Sequence, residues 1–289
     1  MHPTVDWRRI TFQSATGLKL TGMLADAGSS TTVLHVHGTH GNYFSAGYIN
    51  VLAHHCTSAE INLLTVNTSG HDGISEAYRG EEYTYAGGAL SLFQEVVSDI
   101  EGALNFVRTF SDHVMLAGHS LGCDRIVFHA LETKSQLPLI LISPCDSYRL
   151  HEIFLAGPSV EDHIERLKRI QPRDKFELLP AQEFGIHNKT ERYLIPISRD
   201  ALLSIIDGPP FKLFRLSLPA EFYLPNPSLI CIGRRDKLQT EEPQTMFDYM
   251  SKRFANCTNF LAEIGDHEFA NDEHALAERI VSWCKNNAF

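Results

Sequence analysis

Ser120 stands in Gly118-His119-Ser120-Leu121-Gly122, between the apolar run His113-Val114-Met115-Leu116-Ala117 and a helical pattern from Cys123 to Leu131. A short buried strand turning sharply into a helix lifts a serine at the turn clear of the sheet. Gly118 and Gly122 flank it because the backbones approach there too closely for a Cβ. A serine hydroxyl is a weak nucleophile at neutral pH and needs an adjacent base. Two downstream segments offer partners. Asp236 closes a short turn after Leu229-Ile230-Cys231-Ile232, and His267 follows Leu261-Ala262-Glu263-Ile264 into a loop. An imidazole there can accept the hydroxyl proton and return it, while a carboxylate holds the imidazole tautomer and stabilises the imidazolium.

Serine, acid and histidine in that chain order, each at the end of its own strand, resemble the α/β-hydrolase superfamily, and the resemblance spans nearly the whole chain apart from one insertion. It implies a mostly parallel central sheet with helices on both faces and a helical lid. It also implies an oxyanion hole built from the N–H of Leu121 and one from the loop His37-Gly38-Thr39-His40-Gly41-Asn42, where Thr39 is the expected donor. Each such donor is worth about 3 kcal/mol of barrier. His37 and Gly38 would support that turn, with His37 bracing it by hydrogen bonding. The loop Ser69-Gly70-His71-Asp72-Gly73-Ile74-Ser75 is a loose version of the family's R-G-H-G-x-S pattern, with Ser69 in place of arginine, and its expected role is structural.

Several residues compete for these roles. Asp146, in Ser143-Pro144-Cys145-Asp146, also follows a strand and could supply the acid from an alternative position. His274 is a second candidate base but lies in a helical stretch, as a surface residue would. His119, beside the nucleophile, reads as packing with no chemistry of its own. His35, His37 and His40 have the spacing of a zinc-hydrolase pattern, H-x-H-x-D-H, with Thr39 where the aspartate should stand. The missing carboxylate argues against a metal, and His35 reads as a satisfied histidine inside a buried strand. No metal or organic cofactor is expected.

The elements that must carry these residues alternate. Arg9–Phe12 and Leu18–Leu24 read as a hairpin, followed by a strand at Thr31–Val36 and a helix bearing Tyr48, Val51, Leu52 and His55. Next come a strand at Ile61–Val66, a glycine-rich loop through Gly80, and a long helix from about Leu90 to Phe110. Further strands follow at Leu137–Ile142, Ser228–Ile232 and Phe260–Ile264, then a last helix near His274–Trp283. Strand and helix in turn mean a parallel sheet covered on both faces. Residues 1–146 and 226–289 form the expected core, and 147–225 the lid, because no core strand is legible between Ser147 and Pro225. Two amphipathic helices open there at Ser159 and Ser198. Phe154, Phe184, Phe211, Phe214, Phe222 and Tyr223 are the aromatic pool for an apolar pocket. Arg166, Lys168, Arg169, Arg173 and Lys175 form a basic run that reads as a solvated face, with an anionic substrate or an acyl-carrier partner as the alternative.

At 289 residues and 43% hydrophobic content the chain can bury a large core. Its net charge of −10 argues against a nucleic-acid partner, which attracts basic stripes and repels an acidic surface. The six cysteines contain no C-x-x-C pair, and Cys123, Cys145, Cys231 and Cys284 sit in or beside apolar runs as small buried thiols. No signal-peptide apolar core and no run of the ~18 residues a membrane helix needs is present, so a soluble, cytoplasmic protein without a membrane partner is expected. The functional expectation is a serine hydrolase that cleaves a small or medium carboxylic ester, with a thioester, lactone or amide close behind. Acyl transfer and non-catalytic ligand reception remain alternatives on the same fold, and the oligomeric state stays open.

Overall fold

The computed structural model describes residues 4–154, 159–180, 196–218 and 222–287. Strands β1 (Trp7–Gln13), β2 (Lys19–Ala25), β3 (Thr31–Val36) and β4 (Asn62–Val66) begin the main sheet. It is continued by β7 (His113–His119), β8 (Leu139–Ile142), β9 (Leu224–Gly233) and β10 (Phe254–Ala262). The strand order in this eight-stranded sheet is β1-β2-β4-β3-β7-β8-β9-β10. Only β1 with β2 and β2 with β4 pair antiparallel, and every other neighbour is parallel.

Because side chains alternate along a strand, neighbouring residues serve opposite faces. Val33, Met115, Ile140 and Leu229 pack with helices α1 (Ile49–Ser58) and α9 (Glu273–Asn287) through Leu52, Ala53, Leu276 and Ile280. Leu34, Leu116, Leu141 and Ile230 pack on the other face with α2 (Val96–Val107), α3 (Leu121–Thr133) and α8 (Pro243–Ser251). Apolar residues at consecutive positions, without polar alternation, are what a strand covered on both sides requires.

Three expectations change in detail. The glycine-rich loop through Gly80 contains a two-stranded hairpin, β5 (Ser75–Arg79) with β6 (Glu82–Ala86). The helix expected from Leu90 to Phe110 is a 3-10 turn, Phe93–Glu95, continued by the shorter α2. Pro225 lies inside β9, which starts at Leu224, so the strand begins upstream of the expected boundary at 225.

The segment from Ser147 leaves the sheet after its sixth strand. Its described residues form α4 (Ser147–Phe154), α5 (Val160–Lys168), α6 (Arg199–Ile206) and α7 (Pro210–Leu213) rather than two helices. Ser159 and Ser198 cap α5 and α6, accepting from Asp162 N at 3.1 Å and Ala201 N at 3.2 Å. These helices build a small core of their own around Tyr148, Val160, Leu167, Leu202 and Phe211. No helix among the described residues is long and apolar enough to cross a membrane.

Candidate active site

β7 delivers Ser120 and α3 begins at the next residue, leaving Ser120 with φ 54° and ψ −125°. A non-glycine residue on the positive side of φ is strained and persists only where its surroundings impose it. They do so here: a Cβ on Gly118 would collide with the Gly122 backbone, and one on Gly122 with the carbonyls of Val36 and His37. Ser120 N donates to Ile142 O at 2.9 Å, fixing the turn to the neighbouring strand. The hydroxyl of Ser120 has no hydrogen-bond partner among the described residues.

Beyond the ends of β9 and β10, two loops meet. His267 Nδ1 and Asp236 Oδ2 are 2.9 Å apart. Leu238 N donates to Asp236 Oδ1 at 2.8 Å, and Gln239 Nε2 to Oδ2 at 3.2 Å. Burial alone would raise the Asp236 carboxyl. The hydrogen bond and charge of His267, with the Leu238 and Gln239 donors, outweigh it and hold the group below the ordinary aspartate value. A carboxylate in this position makes Nδ1 the protonated ring nitrogen and leaves Nε2 as the basic one.

Asp146, the competing acid, is engaged elsewhere. Its carboxylate accepts from Arg149 N at 2.8 Å and Leu216 N at 2.9 Å, tying the start of α4 to the chain after α7. His274 lies exposed on α9, with Nδ1 3.0 Å from His55 Nε2. Cys145 Sγ lies within 4.8 Å of the Asp236 and His267 donors. Burial pushes its thiol well above the ordinary value, so it stays protonated beside a hydrogen-bonded pair that already occupies Nδ1.

His119 has a larger part than its sequence position suggests. Its Nε2 donates to the backbone carbonyl of His267 at 2.9 Å, and Ser143 Oγ donates to the same oxygen at 2.9 Å. The rings of His119 and His267 lie 5.0 Å apart, which sets the His267 loop directly against the residue before Ser120. Burial, reinforced by His267, pulls His119 down to about 3, so it is a neutral donor at any ordinary pH.

The turn at residues 37–39 closes the other side. A Cβ on Gly38 would stand 3.0 Å from that of Ser120, so this turn abuts the nucleophile. His37 Nδ1 donates to Gly38 O at 2.8 Å and Nε2 accepts from Thr68 N at 3.2 Å. Arg125 Nη1 donates to the carbonyls of His37 at 2.8 Å and Gly38 at 3.2 Å. With those carbonyls held back, Thr39 and Leu121 border the same cavity as Ser120. Leu121 is the first residue of α3, and the leading N–H groups of a helix have no acceptor within it. Ser69, where the family pattern has arginine, donates from both N and Oγ to Asp99 Oδ2 at 2.7 Å. Arg125, from a different element, supplies the guanidinium instead.

The remaining histidines of the zinc-like spacing turn to separate partners. His35 Nε2 meets Tyr48 Oη at 3.0 Å, and His40 Nδ1 meets Asp72 O at 3.2 Å. In the basic run, Lys168 pairs with Glu165 and Asp207, and Arg173 with Glu177, as a solvated face does. Of the aromatic pool, Phe211 borders the cavity, Phe214 and Phe222 pack against the sheet, and Tyr223 is 64% exposed. Phe184 lies outside the described residues, as does the side chain of Phe154. The cavity measures about 200 Å³ and is roofed by Leu150, His151, Ile205, Ile206 and Phe211, with Leu238 at its side.

This strand order, with a serine turn after β7 and an acid and a histidine after β9 and β10, defines the α/β-hydrolase fold. Solved structures agree. Est1E from Butyrivibrio proteoclasticus, with ferulic acid bound, superposes with a TM-score of 0.66 at 14% identity, covering 96% of this chain and 99% of that one. An esterase of Pyrococcus furiosus gives 0.61 at 14% identity over 99% and 94% of the two chains. The esterase domain of a Rhodothermus marinus protein gives 0.57 at 14% over 99% and 100%. No family model matches the sequence, and no curated protein matches it.

Proposed function

We propose that this protein is a carboxylic ester hydrolase that works through an acyl-enzyme on Ser120, with His267 as general base and acid and Asp236 as its orienting carboxylate. The observation that carries the reading is the 2.9 Å contact of His267 Nδ1 with Asp236, on loops that converge beside a serine held at positive φ. Two of the structural neighbours are named as esterases, and a third carries ferulic acid, which fits the same chemistry.

Nε2 of His267 takes the Ser120 proton as Oγ attacks the ester carbonyl. The oxygen that becomes negative is met by the N–H groups of Leu121 and Thr39. On collapse, the alcohol leaves with the proton from Nε2. Water then repeats the sequence on the acyl-enzyme, yielding the free acid and restoring Ser120. The helices from Ser147 onward act as a lid, and their apolar side chains above Ser120 hold the carbon chain of the substrate out of water.

The test is labelling of Ser120 by a fluorophosphonate together with turnover of p-nitrophenyl butyrate, both lost in Ser120→Ala. A wild-type protein that resists the label would sink the nucleophile assignment. Label without free-acid product, restored as an ester or amide when an alcohol or amine is added, would mark an acyltransferase instead.

A further inference from the structure

Beside the catalytic cavity lies a second, much smaller one of about 20 Å³, bordered by Thr39, Thr68, Ser69, Ser91, Leu121 and Arg125. Thr39 and Leu121 border both spaces, so the small cavity flanks the expected oxyanion hole. Arg125 is only 6% exposed. One of its nitrogens, Nη1, holds the carbonyls of His37 and Gly38. Nη2 lies against Gly70, where an added Cβ would come within 3.0 Å of it, and Gly70 also borders the small cavity. Neither Nη2 nor Nε has a hydrogen-bond partner among the described residues.

The charge of this guanidinium is poorly answered by the protein. No carboxylate among the described residues forms an ion pair with it. Asp99 attracts it from a distance, but the oxygen that Asp99 turns toward this region receives two bonds from Ser69. Asp124 is buried with both oxygens unpartnered, and burial raises its carboxyl well above the ordinary value. Burial outweighs both and brings Arg125 down to about 10. A buried cation without a partner is expensive unless something completes it.

We infer that the small cavity receives a carboxylate of the substrate on Arg125, so that the ester cleaved at Ser120 carries a free acid group on one of its arms. The inference rests on the hydrolase reading for the position of the scissile bond. Size is compatible with it: a single water needs about 10–15 Å³ of such space, and at about 20 Å³ the cavity has room for one small polar group. Chemistry supports it too, because a planar guanidinium with one unengaged edge, formed by Nε and Nη2, takes a carboxylate by charge-assisted bonds. Since Thr39 and Leu121 border both spaces, the acid group would lie close to the reacting carbonyl, and succinyl and glutaryl arms are the spacings to test.

The experiment compares kcat/KM for the mono-p-nitrophenyl esters of succinic and glutaric acid with their methyl-capped counterparts. A parallel arm compares the butyrate esters of glycolic acid and methyl glycolate, placing the acid on the alcohol side. The wild-type enzyme should favour the free acid by about tenfold or more in one arm, which also tells which side carries it. Arg125→Gln should erase that ratio even where its rate on neutral esters also falls through loss of the turn's brace, and Arg125→Lys should restore part of it. If Arg125→Gln fails to fold, Ser91→Asp places a competing carboxylate at the cavity and should remove the preference. Equal rates on capped and free esters in both arms overturn the inference while leaving the hydrolase reading intact, as does an unchanged ratio in Arg125→Gln. If no ester is cleaved, the hydrolase reading falls. Calorimetry on Ser120→Ala with monomethyl and dimethyl succinate then decides the site, with indistinguishable binding overturning it.

Discussion

Below the catalytic cavity, the groups are positioned by hydrogen bonds between residues far apart in sequence: Asp236 on His267, His119 and Ser143 on the His267 carbonyl, Arg125 on the turn at 37–39. Above it, α4 to α7 are held chiefly by apolar packing around Leu167, Leu202 and Phe211. Among the described residues their polar ties to the core are few: Ser198 N to Ala89 O at 2.7 Å, Phe93 N to Ser204 Oγ at 2.9 Å, Leu216 N to Asp146, and Tyr249 Oη to Leu213 O at 3.1 Å. Hydrogen bonds are directional and fix atoms within tenths of an ångström, whereas apolar packing tolerates changes of shape at similar volume. Under the proposed function, the floor sets the reaction and the roof chooses what undergoes it.

Substitutions can break or sharpen this contrast, and the largest effects belong to the floor. Ser120→Ala should lower kcat by roughly 10⁴-fold or more with an unchanged thermal midpoint, read by steady-state kinetics and calorimetry. Asp236→Asn should cost about 10³- to 10⁴-fold by favouring the wrong imidazole tautomer. Its pH signature has a definite sign. A carboxyl held below its ordinary value contributes stability above about pH 4, lost as pH falls through the still lower folded value. The gap in thermal midpoint between wild type and Asp236→Asn should thus persist from pH 7 to pH 4 and close below.

The roof carries an acid response of its own, beside that of the floor, where burial pulls His119 down to about 3. His151 is buried against His163, with ring centres 5.4 Å apart, and burial followed by the His163 charge pulls it down to about 4. A base with a depressed folded value stabilises while neutral. That stability is complete above the unfolded value near 6.5 and is lost as pH falls toward 4, by an amount of order 3 kcal/mol. Hydrogen-exchange protection factors over residues 147–154 and 159–168 should therefore fall between pH 7 and pH 5, once intrinsic exchange rates are divided out. His151→Phe should suppress that loss of protection over the roof, and an equal loss in His151→Phe would remove His151 from the acid response.

Smaller effects separate positioning from specificity. His119→Phe keeps the packing but removes the donor to the His267 carbonyl, and should reduce kcat about 10- to 100-fold with KM little changed. Leu150→Ala enlarges the apolar cavity and should shift the preferred acyl or alcohol length by about one or two methylenes, moving relative kcat/KM by several-fold. Should Leu150→Ala lower kcat uniformly on all chain lengths, the division of labour fails.

Ser120, Asp236 and His267 could be singled out in the sequence because each follows a strand of its own, with the glycines at 118 and 122 marking the turn, and the structure brings Asp236 and His267 into contact. Asp146 could be separated from Asp236 only in three dimensions, where its carboxylate is taken up by two backbone donors. His119, Ser143 and Arg125 were not legible, since their contacts join residues separated by 88 to 148 positions. The hairpin of β5 and β6 escaped because its strands are largely exposed, with polar residues and tyrosines that lack an apolar alternation. Helix α8 carried a readable signal: Pro243 at its first turn and Met246, Phe247 and Met250 on one face.

The doubly anchored carbonyl of His267 bears on timing. With its backbone clamped before any substrate arrives, the imidazole needs no loop ordering to come into register. In the proposed mechanism the serine hydroxyl then reaches the imidazole by side-chain rotation, which takes picoseconds to nanoseconds. Phosphonylation by a small inhibitor should accordingly proceed from mixing as a single exponential, with no lag phase.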